Sequence, residues 1–169
     1  TMKNRFKIFA VLALATVSSG TVYAKNTAPT FAVSTANRPA EDVARDAIRK
    51  PSEMVKFAII KPGQTVVDML PGGGYFTRVF SQAVGPEGKV IALVSDAYAK
   101  INPKAGTDIT ALAAEPAYKN VEAAIRSLNN VAPAGTADVV WTAQNYHDLR
   151  SKNLPPAMAA DLNKAVFAA

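Results

Sequence analysis

Two stretches of this sequence gather residues that can do chemistry. The first, "VVDMLPGGGYFTRVF" from Val66 to Phe80, ends an apolar run on Asp68 and passes through Pro71, Gly72, Gly73 and Gly74 before Tyr75 opens an amphipathic pattern. Glycine lets a backbone approach a ligand closely, and the free N–H groups at the start of a helix suit an anionic or polar group. Asp68 can organise such a loop or accept a hydrogen bond from a bound molecule. The competing reading is a plain strand-to-helix turn. The second stretch, "TAQNYHDLR" from Thr142 to Arg150, concentrates donors, acceptors and an aromatic face in Asn145, Tyr146, His147 and Asp148. His147 is the chain's single histidine and the one side chain whose ordinary pKa lies near 6.5, which suits acid–base work. The competing reading here is a polar loop in which Asp148 caps the next turn.

Other chemistries lack their residues. One histidine and no cysteine cannot make a typical zinc site, and the absence of cysteine excludes disulfides. Ser81, Ser95 and Ser127 have no nucleophile-elbow context. The glycine loop lacks the Gly-Lys-Ser/Thr ending of a phosphate-binding P-loop. It also lacks the G-x-G-x-x-G order and the ribose acid of a nicotinamide site.

The elements that must position these residues follow from periodicity. "TVVDML" is β-branched and apolar, as a strand buried on both faces requires. After the glycines, Phe76, Val79, Phe80 and Ala83 recur at helical spacing, and "GPEGK" turns the chain into a second apolar strand, "VIALV". Upstream, Pro39 fits the first turn of a helix over "PAEDVARDAIRK", and a second short helix begins near Pro51 and stops at "KPG". Beyond Ser95 the pattern predicts a short helix near Ile109 to Ala114 between loops. "VEAAI" and "ADVVWTA" read as two further strands, and a last helix spans Pro156 to Phe167 with Met158, Leu162 and Val166 on one face. Strands alternating with helices imply an α/β, Rossmann-like, doubly wound and mainly parallel sheet. The two candidate stretches then meet at the carboxyl ends of its strands, where ligands bind such sheets.

The 169 residues suffice for about one domain. At the amino end, Lys3, Arg5 and Lys7 precede "IFAVLALATVSSG", and Val22 and Ala24 occupy the small-residue positions of a cleavage site. Residues 1–24 therefore read as a signal peptide, 25–37 as a flexible leader and 38–169 as the folded domain, exported to the periplasm or secreted. The apolar run is shorter than the roughly 20 residues that span a bilayer, so no stable membrane span is expected after cleavage. Removing the three cations of that segment leaves 16 Lys and Arg against 13 Asp and Glu, a net charge of +3 instead of +6. No basic run or aromatic-and-basic stripe remains, so a nucleic-acid partner is not expected.

The Asp68 stretch resembles motif I of the class I S-adenosylmethionine-dependent methyltransferases, an apolar pair, an acid and glycines at alternating positions. Val66, Val67, Asp68, Gly72 and Gly74 match, while Leu70 stands where the first glycine belongs. The resemblance extends from the "RP" helix to "ADVVWTAQNYHDL" and is to exported bacterial proteins of this kind. It implies S-adenosylmethionine as cofactor, lying over the ends of the first strands and held by Asp68 and Pro71 to Tyr75. Family members place a ribose-binding acid at the end of the second strand. Here Val94 occupies that position, and Asp96, two residues later, takes the ribose-binding role if the strand ends late. The resemblance makes "QNYHDL" the acceptor region, with His147 as the base that removes the acceptor's proton, Asp148 as its orienter, and Asn145 and Tyr146 positioning a small-molecule or protein acceptor.

Four strands are legible before "NKAVFAA", whereas the methyltransferase core has seven. The expected sheet is thus incomplete at the C-terminus, and its exposed apolar edge makes a homodimer plausible. The leading expectation is an exported methyltransferase-like protein. The alternative is a non-catalytic periplasmic binding or interaction module that reuses the fold.

Overall fold

The computed structural model describes residues 31–150 and 157–169. The expected signal peptide, residues 25–30 of the expected leader and the expected start of the last helix at Pro156 lie outside the described residues.

Four strands form one sheet: β1 (Thr65–Met69), β2 (Lys89–Ser95), β3 (Val121–Arg126) and β4 (Val139–Trp141), in the order β3-β2-β1-β4. Every neighbouring pair is parallel, with Val66 opposite both Val90 and Val139. β1 and β2 are central and read as near-continuous apolar runs because helices cover both their faces. The chain moves outward from β1 to β2 and β3, then crosses back to place β4 on the other side of β1. That reversal makes the carboxyl ends of β1 and β4 the switch point, where open α/β sheets bind ligands.

Two apolar layers hold the sheet. On one face Val66, Val90 and Val94 pack with Phe76, Val79 and Phe80 of α4 (Tyr75–Val84) and with Ile109 and Leu112. Trp141 of β4 closes this layer, its ring meeting Phe76 and Phe80 edge-on at 5.2 and 5.4 Å between centroids. On the other face Val67, Met69, Ile91 and Leu93 pack with Leu149 and with Leu162 of α7 (Met158–Ala168). The doubly wound arrangement read from the sequence is present, and α4 buries the four apolar residues its spacing singles out.

Two regions differ from expectation. The helix expected over residues 39–50 is divided into α1 (Ala40–Ala44) and α2 (Asp46–Arg49), and Lys50 then adopts a left-handed conformation (φ 48°) before α3 (Pro51–Phe57). Pro51 disfavours helical backbone in the residue before it, which ends α2 there. Residues 96–114 hold two helices, α5 (Asp96–Ile101) and α6 (Pro103–Ala114), where one short helix between loops was expected. The Ser95 hydroxyl accepts a hydrogen bond from the Tyr98 amide and caps α5, and Pro103 starts α6. Among the described residues no helix is long and apolar enough to cross a membrane.

Candidate functional site

The residues that end β1 and β4 define the site. Leu70, the first residue past β1, has φ 58°, a left-handed conformation that costs a side-chain-bearing residue energy and that glycine adopts freely. This accounts for the glycine slot in which Leu70 stands. Gln144, three residues past β4, is also left-handed at φ 62°. Beyond this turn the Asn145 side chain donates from Nδ2 to the Leu70 carbonyl at 3.0 Å. The glycine loop and the "QNYHDL" segment are therefore in direct contact at the carboxyl end of the sheet.

Within the loop the glycines have different tasks. Gly74 caps α4 with φ 82°, and a Cβ there would lie 2.4 Å from a Leu112 methyl, so a side chain here would strain the backbone and displace Leu112. Gly72 and Gly73 are exposed, and a Cβ at either would meet no atom within 4 Å. Their amides have no hydrogen-bond acceptor among the described residues. Three of the loop's carbonyls, by contrast, are held: Asn145 Nδ2 donates to that of Leu70, the Gly74 amide donates to Pro71 at 3.1 Å, and Arg78 Nη1 donates to Gly73 at 2.8 Å. A loop that ties back most of its carbonyls and leaves two exposed amides without an acceptor can serve as a donor surface for a carboxylate, phosphate or hydroxyl.

Asp68 lies beneath this surface. It is 2% exposed, and Thr77, one turn into α4, donates to it from its hydroxyl at 2.7 Å and from its amide. Burial raises its pKa to about 6, partly offset by the two Thr77 bonds. Of the two roles open to Asp68 from sequence, this geometry provides the first, joining the end of β1 to the start of α4. Tyr75 points away from the open space. Its hydroxyl donates to Asp46 at 2.6 Å, and the guanidinium groups of Arg38, Arg45 and Arg49 lie 5.3, 5.2 and 4.8 Å from its ring centroid. Burial, reinforced by Asp46, pushes the Tyr75 hydroxyl up to about 12. Asp46 itself is held below the usual carboxylate range by the bidentate Arg38.

Asp96 follows the last residue of β2 and stands exposed at the first turn of α5, its carboxylate accepting from the adjacent Ala97 amide at 2.8 Å. Val94, two residues earlier, is buried inside the sheet. Asp96 is thus the acid at the carboxyl end of β2, the same end as the glycine loop. Tyr146, His147 and Asp148 lie in one short helical turn, Tyr146–Arg150, that follows Asn145. Buried Leu149 anchors this turn to the core, and the Tyr146 hydroxyl donates to Asn163 of α7 at 3.0 Å. His147 is exposed.

Thr77 and Arg78 were missed from sequence, as was Asp42 of α1, which holds Arg78 from the other side at 3.1 Å. For Leu70 a signal existed, because a residue in a glycine slot points to left-handed backbone. For the other three none did, since the Thr77–Asp68 and Arg78–Asp42 pairs join residues 9 and 36 apart.

No protein-family model matches the chain, and no curated protein does. Among solved structures, the chain is similar to a SAM-dependent methyltransferase from Aquifex aeolicus, with 25% identity and a TM-score of 0.59 over 73% of this chain and 61% of that one. A SAM-dependent O-methyltransferase from Thermotoga maritima aligns at 18% identity and a TM-score of 0.42, over 70% of this chain and 49% of that one. The chain spans less than two thirds of the length of either. Strand order, loop position and the Aquifex likeness together bear out the resemblance to the class I S-adenosylmethionine-dependent methyltransferases, whose fold this chain carries in part.

Proposed function

We propose that the chain is the nucleoside-binding core of an exported, S-adenosylmethionine-dependent methyltransferase-like protein. The observation that carries this reading is the pair of exposed amides, Gly72 and Gly73, without an acceptor among the described residues at the switch point between β1 and β4. Bound there, S-adenosylmethionine would supply a methyl group already activated on sulfur, so the protein's part is alignment and proton removal. Pro71 to Gly74 form the donor surface, with Asp68 and Tyr75 fixing it from below and from the side. Asp96 takes the ribose hydroxyls from the end of β2. His147 is the base for the acceptor's proton and Asp148 orients it. Asn145 and Tyr146, tied to Leu70 and Asn163, hold the acceptor segment against the loop. The acceptor is a small molecule or a protein.

Buried Val94 favours the second reading, a binding or interaction module without catalysis, because it removes one polar anchor from its usual place. Calorimetric titration with S-adenosylmethionine and S-adenosylhomocysteine separates the two. The methyltransferase reading expects saturable binding of both, and the second reading expects binding of neither.

A further inference from the structure

We propose that Arg78 is a positioning residue of the nucleoside site, set in place by Asp42, so that α1 controls which way the Gly73–Gly74 peptide faces. The inference rests on the nucleoside reading for its effect on affinity, but its structural content stands on the loop alone.

The Gly73–Gly74 peptide, like Gly72–Gly73, joins two residues without side chains, so no Cβ on either side opposes its rotation. Flipped, it would turn its carbonyl onto that of Pro71 and its N–H onto the Arg78 guanidinium, and the turn that carries the neighbouring Gly72 and Gly73 amides would be lost. Two contacts oppose the flip. The peptide's N–H donates to the Pro71 carbonyl at 3.1 Å, and its C=O accepts from Arg78 Nη1 at 2.8 Å. A bond to a charged donor is the stronger kind.

Arg78 does not hold this position unaided. It sits one turn into α4, and its side chain, 12% exposed, crosses the ring of Tyr118 with the guanidinium carbon 6.0 Å from the centroid. The nitrogen that meets Gly73 is also 3.1 Å from Asp42 Oδ2. Asp42 is itself almost fully buried, and its other oxygen meets Arg45 at 2.5 Å. A relay therefore runs from Arg45 through Asp42 and Arg78 to the Gly73 carbonyl. All its charged members are paired within it, and α1 supplies the middle acid, 31 residues before Gly73 in the sequence.

The test compares the full chain with Arg78→Met, Arg78→Lys and Asp42→Asn by amide hydrogen exchange and by calorimetry with S-adenosylhomocysteine. Arg78→Met keeps the stem and removes the donor. It is expected to speed exchange of the Gly74 amide about tenfold, to leave β1 and β2 amides unchanged, and to weaken nucleoside binding at least tenfold. Arg78→Lys restores part of both effects, and Asp42→Asn reproduces them more weakly. Unchanged Gly74 exchange in folded Arg78→Met and Asp42→Asn overturns the proposal, as does faster exchange spread over the whole domain. If the unaltered chain binds no nucleoside, the functional reading fails, while the exchange contrast still decides whether Arg78 fixes the peptide.

Discussion

Asp68 carries the most energetic tension of any single residue at the site. Its folded pKa, about 6, lies above the ordinary value of 3.8, so the fold prefers the protonated acid. The penalty is fully present above pH 6 and is relieved as pH falls through 6 toward 4. At about 1.4 kcal/mol per pH unit it amounts to roughly 3 kcal/mol. Asp68→Asn keeps the shape and still accepts from Thr77. It is expected to raise stability by about 2 kcal/mol at pH 7.5 and to give no gain near pH 4.5, as denaturant unfolding at the two pH values will read. An equal effect at both would contradict a buried, raised Asp68. The acid was legible in the sequence as the end of a strand before glycines. Its burial was not, because that depends on Thr77 and on Trp141, its opposite residue in β4.

Among the elements, the glycine loop makes the sharpest distinction between a site and a turn. Gly74→Ala forces a side chain into left-handed backbone and against Leu112, and is expected to cost roughly 3 kcal/mol in denaturant unfolding. Gly73→Ala has ordinary backbone and empty space around it, so its stability is expected to stay within about 0.5 kcal/mol of the parent. Equal costs at the two positions would contradict this division of tasks. Periodicity revealed α4, β1 and β2 because each buries a regular face. It missed α5 and half of α6, where "DAYAKI" and "PKAGTD" are held as helices by the Ser95 cap, Pro103 and the fit of Gly106 against Ile125. Such contacts leave no period in a sequence.

At the scale of the molecule, a buried polar network docks the N-terminal helices onto the sheet. Arg38, its side chain without exposure, makes a bidentate pair with Asp46, which also holds Tyr75 of α4. Arg38→Met leaves a partly exposed Asp46 unpaired and is expected to cost about 2 kcal/mol and roughly 5 °C in thermal midpoint. An unchanged midpoint would mean that α1 and α2 dock by other contacts. The sheet order was legible from strands alternating with helices, whereas the network was not, because its bonds join residues 8 and 29 apart. The whole account turns on the claim that the Gly72–Gly73 amides receive a ligand. The most direct test is calorimetric titration of the chain and of Gly73→Ala with S-adenosylhomocysteine. The account predicts saturable binding by the parent and at least tenfold weaker binding by an equally stable Gly73→Ala. A folded parent that binds no nucleoside, or a Gly73→Ala that binds as the parent does, would contradict it and leave the loop as a strand-to-helix turn.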